Sequence, residues 1–120
     1  DVVLDVACED GLLFLVLANL GGEPALDVRV ALKRPSGRPF TGLGGELDLN
    51  TFPLFQKLAM LRGEKELRVL VDTATAWFQR EECGEFTASL TWKERSGDES
   101  RSDYTHDLNA FRSGVDRVAR

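Results

Sequence analysis

The sequence predicts an all-β protein, an immunoglobulin-like antiparallel β-sandwich of about seven strands. Apolar and polar residues alternate over much of the 120-residue chain, and this period of two is typical of strands with one buried face. Turn-forming residues recur about every ten residues, a spacing that favours a sandwich. Helical spacing is confined to a single short turn near residues 52–60.

Three strands are predicted in the first part of the chain. Asp1 to Glu9 and Ala25 to Lys33 alternate between aliphatic and polar residues, and the turn Asn19 to Pro24 precedes the third strand. Leu12 to Ala18 is apolar at every position, which indicates a strand covered on both faces or central in its sheet. The aliphatic face of the third strand is predicted to consist of Leu26, Val28, Val30 and Leu32.

The middle of the chain is predicted to be mostly irregular. Arg34 to Pro39 contains two prolines and a glycine, which exclude a helix. Phe40 to Gly45 is a glycine-rich loop, and Glu46 to Asn50 fits a short edge strand. The predicted helical turn lies within Thr51 to Met60, with Pro53 near its start.

The second half contains three further predicted strands. Glu66 to Asp72 and Glu85 to Glu94 alternate clearly, and Ser96-Gly97-Asp98 indicates a hairpin turn into a returning strand, Ser100 to Leu108. Thr73 to Gly84 is predicted to be a loop or an irregular edge. The inward face of the strand before the hairpin is predicted to be Phe86, Ala88, Leu90 and Trp92.

The composition indicates one folded domain, with residues 1–113 in the sandwich and residues 114–120 in a polar C-terminal tail. The net charge of −5 and the basic residues, which are scattered apart from the weak pair Lys33-Arg34, exclude an electrostatic basis for nucleic-acid binding. No apolar run is long enough to span a membrane. We therefore expect a soluble domain without direct membrane insertion. Because the chain begins at Asp1, we expect it to be part of a longer protein.

The sequence contains no catalytic, metal-binding or cofactor motif, so we expect no enzyme activity, no metal and no cofactor. His106 is the one histidine, and no nucleophile turn of the G-x-S-x-G type accompanies it. A half-buried or surface position is expected for it. Cys8 and Cys83 could be joined by a disulfide, but we favour two small buried thiols in a reducing compartment. The acidic residues of the final hairpin lack calcium-loop spacing.

Four aromatic residues in the predicted irregular segments are the candidate binding residues. Loop aromatics often anchor partners, and a pair of adjacent rings could also form a platform for a sugar. The alternative is that these rings close the open ends of the sandwich. The four residues are Trp77, Phe78, Phe52 and Phe55.

Three segments resemble bacterial immunoglobulin-like and fibronectin-III-like modules, including the cell-adhesion-related domains of bacteria. The turn N-L-G-G-E-P-A, Asn19 to Ala25, is similar to their N-x-G-x-x-x-A entry into a strand. Leu58 to Asp72 resembles their L-x-x-L-x-P-G-E turn, with Arg62 in place of proline. The final hairpin and Asp107-Leu108 resemble their last two strands. The resemblance implies modules that space, tether or recognise partners in larger surface or membrane-associated proteins.

The sequence therefore predicts a non-catalytic module for protein interaction or spacing within a larger bacterial protein, which a segment outside these residues could tether to a membrane. The expected partner is a protein and not a nucleic acid, and the oligomeric state is left open. One alternative is a carbohydrate-binding domain that uses the loop aromatics. Another is the accessory domain of an enzyme whose catalytic part lies outside these residues.

Overall fold

The computed structural model describes residues 1–81 and 83–112, and the predicted tail at residues 114–120 lies outside them. Antiparallel strands dominate the described part of the chain, which confirms the predicted all-β class. The strands are β1 (Val2–Glu9), β2 (Leu12–Asn19), β3 (Ala25–Lys33), β4 (Thr41–Gly42), β5 (Leu47–Asp48), β6 (Leu58–Leu61), β7 (Glu66–Thr73), β8 (Glu85–Lys93) and β9 (Glu99–Asp107).

Two main sheets pack face to face. A three-stranded sheet has the order β1-β2-β7, a four-stranded sheet has the order β6-β3-β8-β9, and β4 and β5 form a small separate pair. The chain passes between the two main sheets several times, so neighbours in a sheet are often distant in sequence. This is the arrangement of an immunoglobulin-like antiparallel β-sandwich, as predicted.

Two short α-helices interrupt the strands. Helix α1 (Pro53–Gln56) confirms the predicted helical turn, but the end of that region forms β6. Helix α2 (Ala74–Arg80) shows that the prediction of a loop over Thr73 to Gly84 was wrong. The helix has only seven residues, too few to display a clear period of 3.6. Single 3₁₀ turns lie at Leu43–Gly45, Leu49–Thr51 and Leu108–Phe111.

A bulge changes the face of one predicted inward residue in β3. Asp27 has a φ of 50°, and the pairing of β3 with β8 shifts between Leu26 and Arg29. Because a slip of one residue moves a side chain to the other face of the sheet, Ala25 is buried and Leu26 is only half-buried. The inward prediction for Leu26 was therefore wrong, whereas the other three aliphatic side chains of that strand are buried.

The core lies between β2 and β7 on one side and β3 and β8 on the other. Strand β8 buries the four side chains that its alternation predicted, and β2 contributes Leu13, Leu15 and Leu17. Phe40 joins them from the segment before β4, packing edge to face on Phe86 with ring centroids 4.7 Å apart. Full burial of one such side chain stabilises the fold by roughly 1.5–3 kcal/mol.

The predicted hairpin turn and the predicted position of His106 are confirmed. Gly97 has a φ of 95° in the turn between β8 and β9, a conformation that favours glycine. His106 is half-buried, and its Nε2 lies 2.7 Å from the carbonyl oxygen of Leu4. This hydrogen bond joins β9 to β1, which belongs to the other sheet.

Both cysteines are free thiols in the structure. Cys8 is half-buried in β1, where burial raises the pKa of its thiol. Cys83 is exposed, so the expectation that both thiols are buried was wrong for this residue. No helix in the described ranges has the length and apolar character needed to cross a membrane.

Candidate functional site

The four aromatic residues proposed from sequence lie in or against the core. Trp77 is 1% exposed and Phe55 0%, and the indole N–H of Trp77 donates to the carbonyl of Thr41 at 3.3 Å. Phe78 lies in α2 beside Trp77 rather than in a loop, and Phe52 precedes α1; both are half-buried against the core. These positions agree with the alternative that the rings close the sandwich. A binding role for them stays a prediction.

The outer side of the three-stranded sheet is unusually apolar. Leu13, Leu15 and Leu17 of β2 point into the core, so the residues between them point outward. The pairing with β1 and β7 then places further apolar side chains beside them. We call this surface the outer apolar face, and it consists of Val3, Ala7, Leu12, Phe14, Val16, Ala18 and Leu70.

The exposed part of this face lies around Phe14 and Leu70. Phe14 is paired with Ala7 on one side and with Leu70 on the other, so the three side chains form a row across the sheet. Leu70 is 41% exposed and Phe14 is half-buried. Val16 and Ala18, farther along the central strand, are shielded by their neighbours.

Arg68 lies across this row and is fixed by two carboxylates. Its two terminal nitrogens donate to Glu9 at 2.9 and 3.0 Å, and its Nε donates to Glu66 at 3.2 Å. The guanidinium carbon stands 5.4 Å from the centre of the Phe14 ring, within cation–π range. The hydrogen bond and the charge of Arg68 lower the pKa of the Glu9 carboxyl.

The rim of the outer apolar face is mainly acidic. Asp5, Glu9 and Glu66 are exposed along it, and Arg68 is the basic side chain between them. Asp5 is paired with Val16 on the neighbouring strand, so its carboxylate stands next to the apolar centre.

A second polar cluster lies at the end of the sandwich where β3 and α2 finish. Arg34 forms a buried ion pair with Glu81 and donates to the carbonyl of Cys83 at 2.9 Å. Arg112 donates to the carbonyl of Glu81 at 3.1 Å. A polar cleft of 390 Å³ opens beside this cluster. The sequence marked Arg34 only as half of the weak basic pair Lys33-Arg34, because nothing local indicates that it is buried.

A third cluster, around Asp72, fixes α2 against the segment after β4. The Asp72 carboxylate accepts hydrogen bonds from the N–H groups of Gly44 and Thr73 and from Arg80, at 2.8–3.0 Å. Desolvation alone raises the pKa of this carboxyl, but the bonds from Gly44, Arg80 and Thr73 together outweigh it, so its pKa is lowered. Every partner in this cluster is part of the fold itself, which indicates a structural role.

The positions of ionisable side chains in the described chain do not create a metal centre. Among residues 1–81 and 83–112, no three or more His, Cys, Asp or Glu side chains are grouped closely enough to hold an ion. Glu99, Asp103 and Asp107 of the final hairpin share one face of β9, but they stand four positions apart along the extended strand. The outer apolar face is the candidate binding site.

The fold and this surface define the protein as an immunoglobulin-like β-sandwich domain with one apolar sheet face. Residues 2–112 match a family described as a domain of unknown function, DUF8453, and the chain belongs to that family. The match runs from β1 through the last 3₁₀ turn, so it covers the whole sandwich. Neither a curated protein nor a solved structure matches the chain.

Proposed function

We propose that this domain is a non-catalytic module that binds a partner protein, within a larger bacterial protein, through its outer apolar face. The observation that carries the proposal is the outward row formed by Ala7, Phe14 and Leu70. Antiparallel sheets usually present polar side chains to water on their outer face. An apolar outer face bordered by charges is typical of a surface that another protein covers.

The energetic gain on covering this face comes from Phe14 and Leu70. Burying apolar surface contributes about 25 cal/mol per Å² removed from water. Aromatic side chains at the centre of an interface commonly dominate binding. Arg68 stands over the Phe14 ring and is itself fixed by Glu9, so a partner that covers this row packs against an ordered guanidinium as well as against Leu70.

The rim determines the kind of partner. Asp5, Glu9 and Glu66 place three carboxylates around the apolar centre against the single guanidinium of Arg68, so the rim keeps an acidic excess, and the whole chain has a net charge of −5. A partner with an apolar patch bordered by lysine or arginine would match this charge pattern. The resemblance to bacterial modules that space or recognise partners in larger proteins supports the same role.

The proposal can be tested with a photo-cross-linking amino acid at position 70 of the protein that contains this domain. Position 60 is the matched control, because Met60 is also apolar and is 50% exposed, but lies on β6 of the other sheet. We expect cross-linking in the native cell to one protein from position 70 and not from position 60. Equal products from both positions would contradict the proposal.

The identified partner then allows a quantitative test. Binding of the purified partner should weaken at least about tenfold in a Leu70→Asp variant, since a charge would be buried at the interface. A Met60→Asp variant should bind as the unsubstituted protein does. If both variants keep full affinity in calorimetry, the outer apolar face is not the binding surface.

A further inference from the structure

Strand β9 lies at an edge of the four-stranded sheet. It is nine residues long and pairs with β8 from Glu99 to Asp107. In the described sheet order it has no strand on its other side. A long edge strand presents main-chain N–H and C=O groups that can pair with a further strand.

The hairpin geometry shows which residues present those groups. At one end, the Glu94 N–H donates to the carbonyl of Asp98 at 2.8 Å, and at the other end the Leu108 N–H donates to the carbonyl of Gly84 at 3.0 Å. Hydrogen-bonded pairs alternate along an antiparallel ladder. Even-numbered residues of β9 therefore bond to β8, and the odd-numbered residues direct their main-chain groups to the free edge.

The same odd-numbered residues carry the exposed side chains of the strand. All five lie on the outer face of the four-stranded sheet, because the even-numbered side chains are turned inward and half-buried. Charges of both signs are present among them. In order along β9 they are Glu99, Arg101, Asp103, Thr105 and Asp107.

This order of charges is complementary to itself in an antiparallel pairing. When two copies pair with Ser102 at the twofold axis, Arg101 of each copy stands opposite Asp103 of the other, and both ion pairs form on the same face. Four pairs of residues would then exchange about eight main-chain hydrogen bonds. Arg101 and Asp103 are 64% and 51% exposed, so both side chains stand at the surface, where each can exchange its partner within the chain for the one on the other copy.

The neighbouring alignments are less favourable. An axis at Arg101 places Arg101 opposite itself and Glu99 opposite Asp103, which opposes like charges. An axis at Asp103 opposes two copies of that carboxylate. Moving the axis to Tyr104 would use Asp107, whose carboxylate already accepts a hydrogen bond from the Asn109 N–H at 2.9 Å. Moving it to Ser100 would run the pairing into the hairpin turn.

We propose that β9 is a self-association edge, through which two copies of this chain pair antiparallel with Arg101 of one copy opposite Asp103 of the other. This inference does not depend on the outer apolar face, which lies on the other sheet. The pairing joins the two four-stranded sheets into one continuous sheet. The intrachain contact of Arg101 with Asp103, at 3.3 Å, already holds both side chains at the outer face.

Charge reversal combined with sedimentation tests the pairing. The unsubstituted chain should show a concentration-dependent dimer in analytical ultracentrifugation. Arg101→Asp and Asp103→Arg should each weaken that dimer more than about tenfold, because each variant opposes like charges twice. The double variant, with both substitutions, should dimerise again. An equimolar mixture of the two single variants should form a heterodimer, although each alone is monomeric.

Two controls separate this edge from other surfaces. Arg29→Asp changes the same charge on the same outer face, but on β3, away from the edge, and should leave the dimer unchanged. Leu70→Asp should also leave it unchanged, even where it removes binding of another protein. A chain that is monomeric at every concentration overturns the proposal. So does a dimer that survives both single reversals, or one that Leu70→Asp abolishes.

Discussion

Asn19 is a buried polar residue that holds two turns together. Its side-chain N–H groups donate to the carbonyls of Glu23 and Leu61, at 2.8 and 3.1 Å, and its side-chain oxygen accepts from the Gly21 N–H at 3.0 Å. All hydrogen-bonding groups of the amide are thereby used. A buried polar group in such a position is stabilising only while its partners remain satisfied.

Asn19→Ala should lower the free energy of unfolding by about 2–4 kcal/mol, because the buried carbonyl of Leu61 would lose its donor. Urea denaturation measures this change. Leu20→Ala is the control, since Leu20 is 67% exposed and its truncation should change stability by less than about 0.5 kcal/mol. Equal effects of the two substitutions would show that the Asn19 hydrogen bonds contribute little.

Asp72 makes the stability of the fold depend on pH. Its pKa is lowered in the folded chain, so the unfolded chain binds a proton more readily at acidic pH. The stabilisation is therefore complete well above the ordinary carboxyl pKa of about 3.9, and is lost as the pH falls through the lower folded value.

Thermal unfolding of the protein and of an Asp72→Asn variant from pH 7 to pH 2 tests this dependence. The unsubstituted protein should have the higher midpoint near neutral pH, and the two midpoints should converge below about pH 3. A difference in midpoint that stays constant across the whole range would contradict the assigned role of the carboxylate.

At the scale of elements, glycine is required at two positions where main-chain segments approach each other closely. Gly63 lies in the turn between β6 and β7, where a Cβ atom would collide with the carbonyl group of Gly22. A Cβ atom at Gly42 in β4 would likewise collide with the carbonyl group of Val71. Glycine is needed at both positions because another chain segment occupies the space of the side chain.

Gly63→Ala should lower the free energy of unfolding by about 1–3 kcal/mol, because two turns would have to move apart. Gly22→Ala is a matched control, since a Cβ at Gly22 has no atom within 4 Å. Chemical denaturation of both variants gives the comparison. If Gly22→Ala costs as much as Gly63→Ala, the close approach of the two turns does not explain the effect.

The elements that sequence pattern predicted well are those with a long and uninterrupted alternation. Strand β8 buries Phe86, Ala88, Leu90 and Trp92 as predicted, because one period continues over its whole length. The pattern fails at Leu26, where one bulge residue inverts the alternation. It also fails for α2, whose start depends on the Thr73 side chain accepting a hydrogen bond from Ala76 N–H at 3.2 Å.

In the whole molecule, polar side chains join parts that are far apart in sequence. His106 bonds the carbonyl of Leu4 and connects the edges of the two sheets. Arg34 and Glu81 connect the end of β3 with the end of α2 across a separation of 47 residues. A buried ion pair of this kind is strongly destabilising when one partner is removed. Neither contact has a local sequence signal.

The two proposed surfaces also belong to this scale. The outer apolar face exists because β1 and β7 flank β2, which places Ala7 and Leu70 beside Phe14. The sequence shows that β2 is apolar at both its odd- and its even-numbered positions. A central position in the sheet is one of the two arrangements that this pattern predicts. The candidate aromatic Trp77 was placed in the core by α2, which the sequence did not predict, and Phe55 by α1, the predicted helical turn.

The amino-acid sequence by itself determined the long strands, the hairpin and the sandwich class, because alternation and turn residues act over a few neighbouring positions, whereas the short strands β4 and β6 were not predicted. The tertiary structure decided which face of β2 points away from the core, where β3 bulges and which polar groups are buried. Those features depend on contacts between residues such as Asn19 and Leu61, which lie 42 positions apart. Chain-local patterns contain no information on such contacts, since the partner atoms come together only when the sheets pack.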